Sequence, residues 1–132
     1  IDGLGMLNVQ TVMTPEKRLA RVSGTDIASG ASVSGYEIHI GHTEGPDCAR
    51  PVLQINGTPE GASSENHLVT GTYIHGVFNS DTFRASFLKT LSAPASTTGY
   101  SAEVEKTLDD LADHLEQHLD IDAMISLART GL

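Results

Sequence analysis

The hydrophobic period of this 132-residue chain changes about two-thirds of the way along, and that change constrains the fold more than any other feature. Up to about residue 90, short apolar runs are separated by Gly, Pro, Ser and Thr; beyond that, apolar residues recur every three or four positions. Residues 6–13 partly alternate apolar and polar side chains, as a strand with one buried face does. Pro15 is expected to stop that strand, leaving Glu16-Lys17-Arg18 as a solvated hinge before a weaker strand near an edge at 19–24. Residues 27–33 are turn-rich through Gly30. Residues 36–40 form a third strand, with Tyr36, Ile38 and Ile40 on one face and Glu37 and His39 on the other. The stretch 42–51, with Pro46 and Pro51, reads as loop. Residues 52–55 read as a short strand that Asn56-Gly57 turns, and 58–66 as another exposed loop. Residues 68–74 look like a strand with a closely approached backbone at Gly71, leading into His75-Gly76.

The later spacing is helical. Ser80 or Asp81 can cap a helix to about residue 91, with Phe83, Phe87, Leu88 and Leu91 along one stripe. Residues 93–98, small and interrupted by Pro94, form a linker. Ser101 is the expected cap of a stronger helix, and Glu103 and Glu105 suit its positive N-terminal end. Val104, Leu108, Leu111, Leu115 and Leu119 keep a single apolar face, and Asp120 or Asp122 begins a last helix through Ala128. The expected fold class is therefore mixed α/β, a strand-rich part over 1–78 followed by a helical tail over 79–132.

Eight Lys and Arg against seventeen Asp and Glu give a net charge of −9. A polyanion is repelled by phosphate backbones and anionic lipid, so nucleic acid and membrane surfaces are not expected partners. No run approaches the roughly 18 apolar residues of a membrane span. One Cys, Cys48, makes no internal disulfide, and a cytoplasmic setting fits. Ile1-Asp2-Gly3, without an initiator Met, reads like the middle of something longer.

Five groups of residues bear on chemistry. His75 stands where a strand gives way to a loop, a place that can expose an imidazole on a fixed backbone, as a general base requires; a semi-buried His satisfied by backbone partners is the alternative. Glu37 and His39 share a strand face, so they can orient a substrate or form the outward polar face of an amphipathic strand. His39, His42 and Cys48, with His67 or His75, invite a metal reading, but their spacing is not a standard zinc pattern and no metal site is expected. Cys48 is a poor nucleophile candidate: Pro51 keeps a helix from propagating there, and Asp47 places a negative charge beside the sulfur. His114 and His118, at i and i+4, flank the Leu stripe and are read as part of a packed helix.

Three phrases in order, Gly3-Leu4-Gly5-Met6-Leu7 with Thr14-Pro15-Glu16-Lys17, then Ser34-Gly35-Tyr36-Glu37-Ile38-His39-Ile40-Gly41 with Thr43-Glu44-Gly45, then Gly71-Thr72-Tyr73-Ile74-His75-Gly76-Val77-Phe78, carry a resemblance. Together they resemble the C-terminal part of the cobyric acid synthases, glutamine-dependent amidotransferases of cobalamin biosynthesis. The likeness runs through the helical tail. It implies the C-terminal portion of a flavodoxin-like, triad-type glutaminase domain, whose parent enzyme also has an ATP- and Mg-dependent synthetase domain acting on corrinoid carboxylates. It implies glutamine as the ligand and His75 as the catalytic base, with Glu37 and His39 as substrate-pocket residues. The family's nucleophilic Cys lies upstream of the Gly-Leu-Gly phrase, so the chain is expected to hold the base without the nucleophile and to be inactive alone. Many triad amidotransferases carry a Glu two residues after the His, where this chain has Val77; Glu37 is one candidate to orient His75 instead. The sister cobyrinic acid a,c-diamide synthase, and a noncatalytic acidic interaction or metal-binding module, are the alternatives. An opened sheet edge is also expected to let the chain self-associate.

Overall fold

The computed structural model describes residues 1–94 and 99–130; most of the expected linker, 95–98, lies outside the described residues. The chain forms two compact units, Ile1–Ser96 and Thr97–Leu132. The expected order, strands first and helices after, is the order observed.

A long antiparallel ribbon dominates the first unit. Strand β1 (Gln10–Asp26) pairs with β2 (Ser32–Glu44) from Gln10↔Glu44 to Thr25↔Ser32. The turn between them is closed locally: Asp26 Oδ2 accepts from Ser29 N at 2.8 Å, and Asp26 N donates to Ala31 O at 2.8 Å. Pro15 does not stop β1. The register slips between Val12 and Lys17, so residues 13–16 face only Gly41 on β2. A proline has no N–H to give a ladder, and a bulge asks for none there. Gly41 has φ 102, and a Cβ on it would stand 2.5 Å from Val12 O, so a glycine is required where the bulged strand crosses.

The ribbon collects short strands on both sides. Strand β3 (Leu53–Ile55) pairs with β1, and β4 (Thr58–Glu60) pairs with β3. Asn56 and Gly57 turn that hairpin with φ 50 and 82, the left-handed pair that a two-residue turn needs. Strand β7 (Ile74–His75) pairs with the other edge of β2, giving the order β4-β3-β1-β2-β7. Strands β5 (Ala62–Ser63) and β6 (Thr70–Gly71) make a separate two-stranded ladder. Every pairing among the described strands is antiparallel.

Several local expectations need correction. The stretch 58–66 is not an exposed loop: it holds β4 and β5, and Ala62 and Ser63 are buried. The loop 42–51 contains the end of β2 and a 3-10 helix, Pro46–Ala49, whose buried Asp47 carboxylate pairs with Arg50 and accepts the Asn8 N–H at 2.7 Å. The expected single strand 68–74 is split between β6 and β7. Helix α1 (Asp81–Thr90) does begin after Ser80, but the Ser80 hydroxyl donates to Ser32 O at 2.5 Å rather than capping its own helix. Helix α2 (Tyr100–His118) is preceded by Gly99, so Ser101 lies in its first turn. Helix α3 (Ile121–Thr130) follows within the second unit.

The core of the first unit is one face of the sheet. Val22, Val33, Leu53, Ile55, Ile74 and Val77 are buried together, with Ala20, Val52 and Phe83 packed against them. Phe83 belongs to α1 and meets Phe78 and Phe87 with ring centroids 5.3 and 6.3 Å away, an aromatic cluster that ties α1 into this unit.

Candidate active site

Directly opposite residues of an antiparallel pair project to the same side of a sheet, so the register sorts the candidate residues by face. Val22 faces Gly35, Ala20 faces Glu37, Arg18 faces His39, and Glu37 faces Ile74: this is the covered face. Leu19 faces Ile38, and Arg21 and His75 both face Tyr36: this is the other face. The structure therefore brings Glu37 and His39 together and leaves His75 on the opposite side from both. The strand alternation expected for residues 36–40 is present, but its apolar side is the exposed one. Glu37 and His39 are not an outward polar face; they are half-buried, whereas Tyr36, Ile38 and Ile40 are exposed.

On the covered face, a chain of polar contacts continues where the apolar core ends. Arg18 Nε stands 2.7 Å from Glu37 Oε2, and Glu37 Oε1 stands 3.1 Å from His39 Nε2. His39 Nδ1 lies 3.1 Å from Gly41 O, and the ring stacks on Tyr73 with centroids 4.5 Å apart. The Tyr73 hydroxyl meets Thr43 Oγ1 at 2.5 Å, and Thr43 Oγ1 meets Thr11 Oγ1 at 2.7 Å. Of these, Thr11, Glu37, His39, Thr43 and Tyr73 border a cavity of about 410 Å³ that Cys48 and Glu60 also line. The Glu60 carboxylate accepts from Thr72 Oγ1 at 2.6 Å and from Tyr73 N at 2.8 Å. The polar groups available to a ligand there are hydroxyls, two imidazoles and carboxylates already held by neighbours, beside apolar Leu7, Val9 and Pro59, which suits recognition of a small molecule with polar groups.

On the other face, His75 is exposed at the end of β7, and its Nε2 lies 3.3 Å from the Ile38 carbonyl. Gly76, with φ 82, turns the chain sharply behind it into the 3-10 helix Val77–Asn79, which fixes the backbone without covering the ring. Gly35 permits β7 to lie this close: a Cβ there would be 2.2 Å from His75 O. Glu37, considered as an orienting partner for His75, is engaged with Arg18 and His39 on the far side.

Of the other histidines, His42 lines the same cavity, and three are accounted for locally. His67 meets Ser63 Oγ at 3.2 Å, and His114 and His118 stack 4.3 Å apart on α2. Among the described residues, no three His, Cys, Asp or Glu side chains come together to hold a metal ion. Sequence reasoning did not single out Glu60 or Thr11, and it named Thr43 and Asp47 without the contacts they make. The partners of Glu60, Thr11 and Thr43 come from other elements, and no periodicity or spacing signals such meetings.

The CobB/CobQ-like glutamine amidotransferase domain family matches residues 1–83, more than half of the chain and including all three phrases noted above. The chain belongs to this family. Similar curated proteins of this kind include cobyric acid synthases from Cereibacter sphaeroides, 59% identical over 97% of this chain, and from Rhodobacter capsulatus, 55% identical over 96%. A cobyric acid synthase from Bradyrhizobium diazoefficiens is 53% identical over 96%. The chain spans 27%, 26% and 26% of those proteins, respectively. No solved structure matches it. No helix among the described residues is long and apolar enough to cross a membrane.

Proposed function

We propose that this amidotransferase chain is part of a cobyric acid synthase and supplies the general base of its glutaminase reaction. The observation that carries the reading is the family match over 1–83, which includes the Gly71-Thr72-Tyr73-Ile74-His75-Gly76 phrase. The shared name of the similar proteins favours cobyric acid synthase over its sister synthase or a noncatalytic module.

In this reading glutamine is the ligand, and His75 takes the proton from a cysteine thiol outside these 132 residues. The thiolate adds to the side-chain amide carbonyl of glutamine, and the C–N bond breaks. The proton held by His75 passes to the leaving nitrogen, giving ammonia and a thioester. Water, deprotonated by the same imidazole, then cleaves the thioester to glutamate and restores the thiol. The ammonia serves amidation of corrinoid carboxylates in a separate synthetase part, where ATP and Mg belong; no step here runs through them. Glu37 and His39 act by shaping a polar cavity rather than by touching His75. The setting is cytoplasmic, without nucleic-acid or membrane partners, and the 132-residue chain alone releases no glutamate.

The test is glutamate release from glutamine by the chain extended upstream through the nucleophile, with and without His75→Ala. A folded mutant that loses about 100-fold or more in rate supports the base assignment. A mutant with wild-type activity makes His75 structural and ends this reading.

A further inference from the structure

The register places Ile38 opposite Tyr73, next to the pairs Tyr36↔His75 and Glu37↔Ile74. In a regular antiparallel ladder, two residues so placed exchange both hydrogen bonds. Only one is made here: Ile38 N donates to Tyr73 O at 3.4 Å. The return bond is missing because Tyr73 N donates instead to Glu60 Oε1 at 2.8 Å. The Ile38 carbonyl is thereby released from the ladder, and it is the atom that His75 Nε2 meets at 3.3 Å.

A carbonyl oxygen can only accept, so the neutral ring that makes this contact carries its proton on Nε2. Nδ1 is then left with a bare lone pair. From these contacts we infer that the Ile38 carbonyl orients His75 as the Nε2–H tautomer with Nδ1 as the basic atom, and that Glu60 is a positioning residue that makes this carbonyl available. Tautomer selection of this kind is ordinarily done by a carboxylate, and a base presented in the wrong tautomer is ineffective. The sequence offers no carboxylate two residues beyond His75, where Val77 stands. Glu60 does not touch the imidazole. It acts by occupying a competing donor, with its second oxygen anchored by Thr72 Oγ1 at 2.6 Å.

The inference rests on the glutaminase reading for its purpose but not for its test. Long-range ¹⁵N–¹H correlation on the histidine-labelled, upstream-extended protein reads the tautomer of the neutral ring directly. Wild type is expected to show neutral His75 protonated on Nε2. A proton on Nδ1, or averaging between the two nitrogens, overturns the inference before any variant is made. Glu60→Ala is expected to return Tyr73 N–H to the Ile38 carbonyl, abolish the Nε2–H preference and slow glutamate release about five- to tenfold, the loss of one ordinary hydrogen bond. Glu60→Gln keeps a carbonyl acceptor for Tyr73 N and is expected to retain the tautomer. If Glu60→Ala keeps the wild-type tautomer while folded, Glu60 has no positioning role. If it does not fold, Glu60→Gln decides: loss of the Nε2–H tautomer in that variant sinks the proposal. An Nε2–H tautomer together with an active His75→Ala protein would overturn the glutaminase role and leave the positioning intact.

Discussion

On one face of the β1–β2 ribbon, Val22 and Val33 are 5% and 3% exposed; on the other, Leu19 lies opposite Ile38 and is 64% exposed. Both faces carry β-branched and aliphatic residues, and the two come from the same strands with the same pleat. What differs is what lies above them. Strands β3 and β7, the turn at Val77 and Phe83 of α1 all bring apolar groups to the first face. The comparison teaches that hydrophobic alternation locates the two sides of a strand without saying which is inside. Here the side that carries Glu37 and His39 is the covered one, because Ala20, Val22 and Val33 extend along it.

Two leucines put the comparison to its strongest test. Leu53, 2% exposed, belongs to the buried cluster, and Leu53→Ala is expected to cost about 2–5 kcal/mol through lost burial and an unfilled cavity. Leu19→Ala is expected to change stability by no more than about 0.5 kcal/mol. Urea unfolding of both variants at low protein concentration measures the difference; equal costs would mean that the open face is covered after all.

A smaller effect sharpens the same contrast through concentration. Leu19, Ile38 and Ile40 form an exposed apolar strip on paired strands, so the isolated chain is expected to associate as its concentration rises. Ile38→Lys is expected to move the weight-average mass in sedimentation equilibrium back toward the monomer. Association unchanged by that substitution would place the contact elsewhere.

The smallest effect lies outside the sheet. Lys106 on α2 meets Asp110 at 2.6 Å, and the hydrogen bond and attraction of that carboxylate hold its ammonium above the ordinary 10.5. A raised value means that the contribution is fully present below the ordinary lysine range and is lost only as pH rises through the folded value. Both groups are solvent-exposed, so Lys106→Ala is expected to leave the thermal midpoint at pH 7 unchanged within error. A clear drop would show that exposed pairs matter more here than the buried face implies.

Much of this was legible in the sequence. The Asn56-Gly57 hairpin, the α1 boundary after Ser80 and the strand-then-helix order follow from local rules, because turn chemistry and periodicity are carried by adjacent residues. The phrase around His75 marked the family. Pro15 misled, since its tolerance depends on Gly41 of the partner strand, distant in sequence. The Glu60 contacts were also hidden, because the choice made by Tyr73 N–H between two acceptors joins two strands and the bend between β6 and β7. Faces, bulges and competing donors are decided by what meets across the sheet.

The carbonyl that faces His75 has a consequence for inheritance. A side-chain orienter can be deleted by a single codon change, whereas residue 38 presents a carbonyl whichever amino acid the gene specifies. Substitutions that keep the strand extended keep the acceptor, so that part of the site offers almost no target to point mutation. The vulnerability moves to codon 60, whose side chain never touches the imidazole, and a reader of variants who inspects only the contacts of His75 would pass over it.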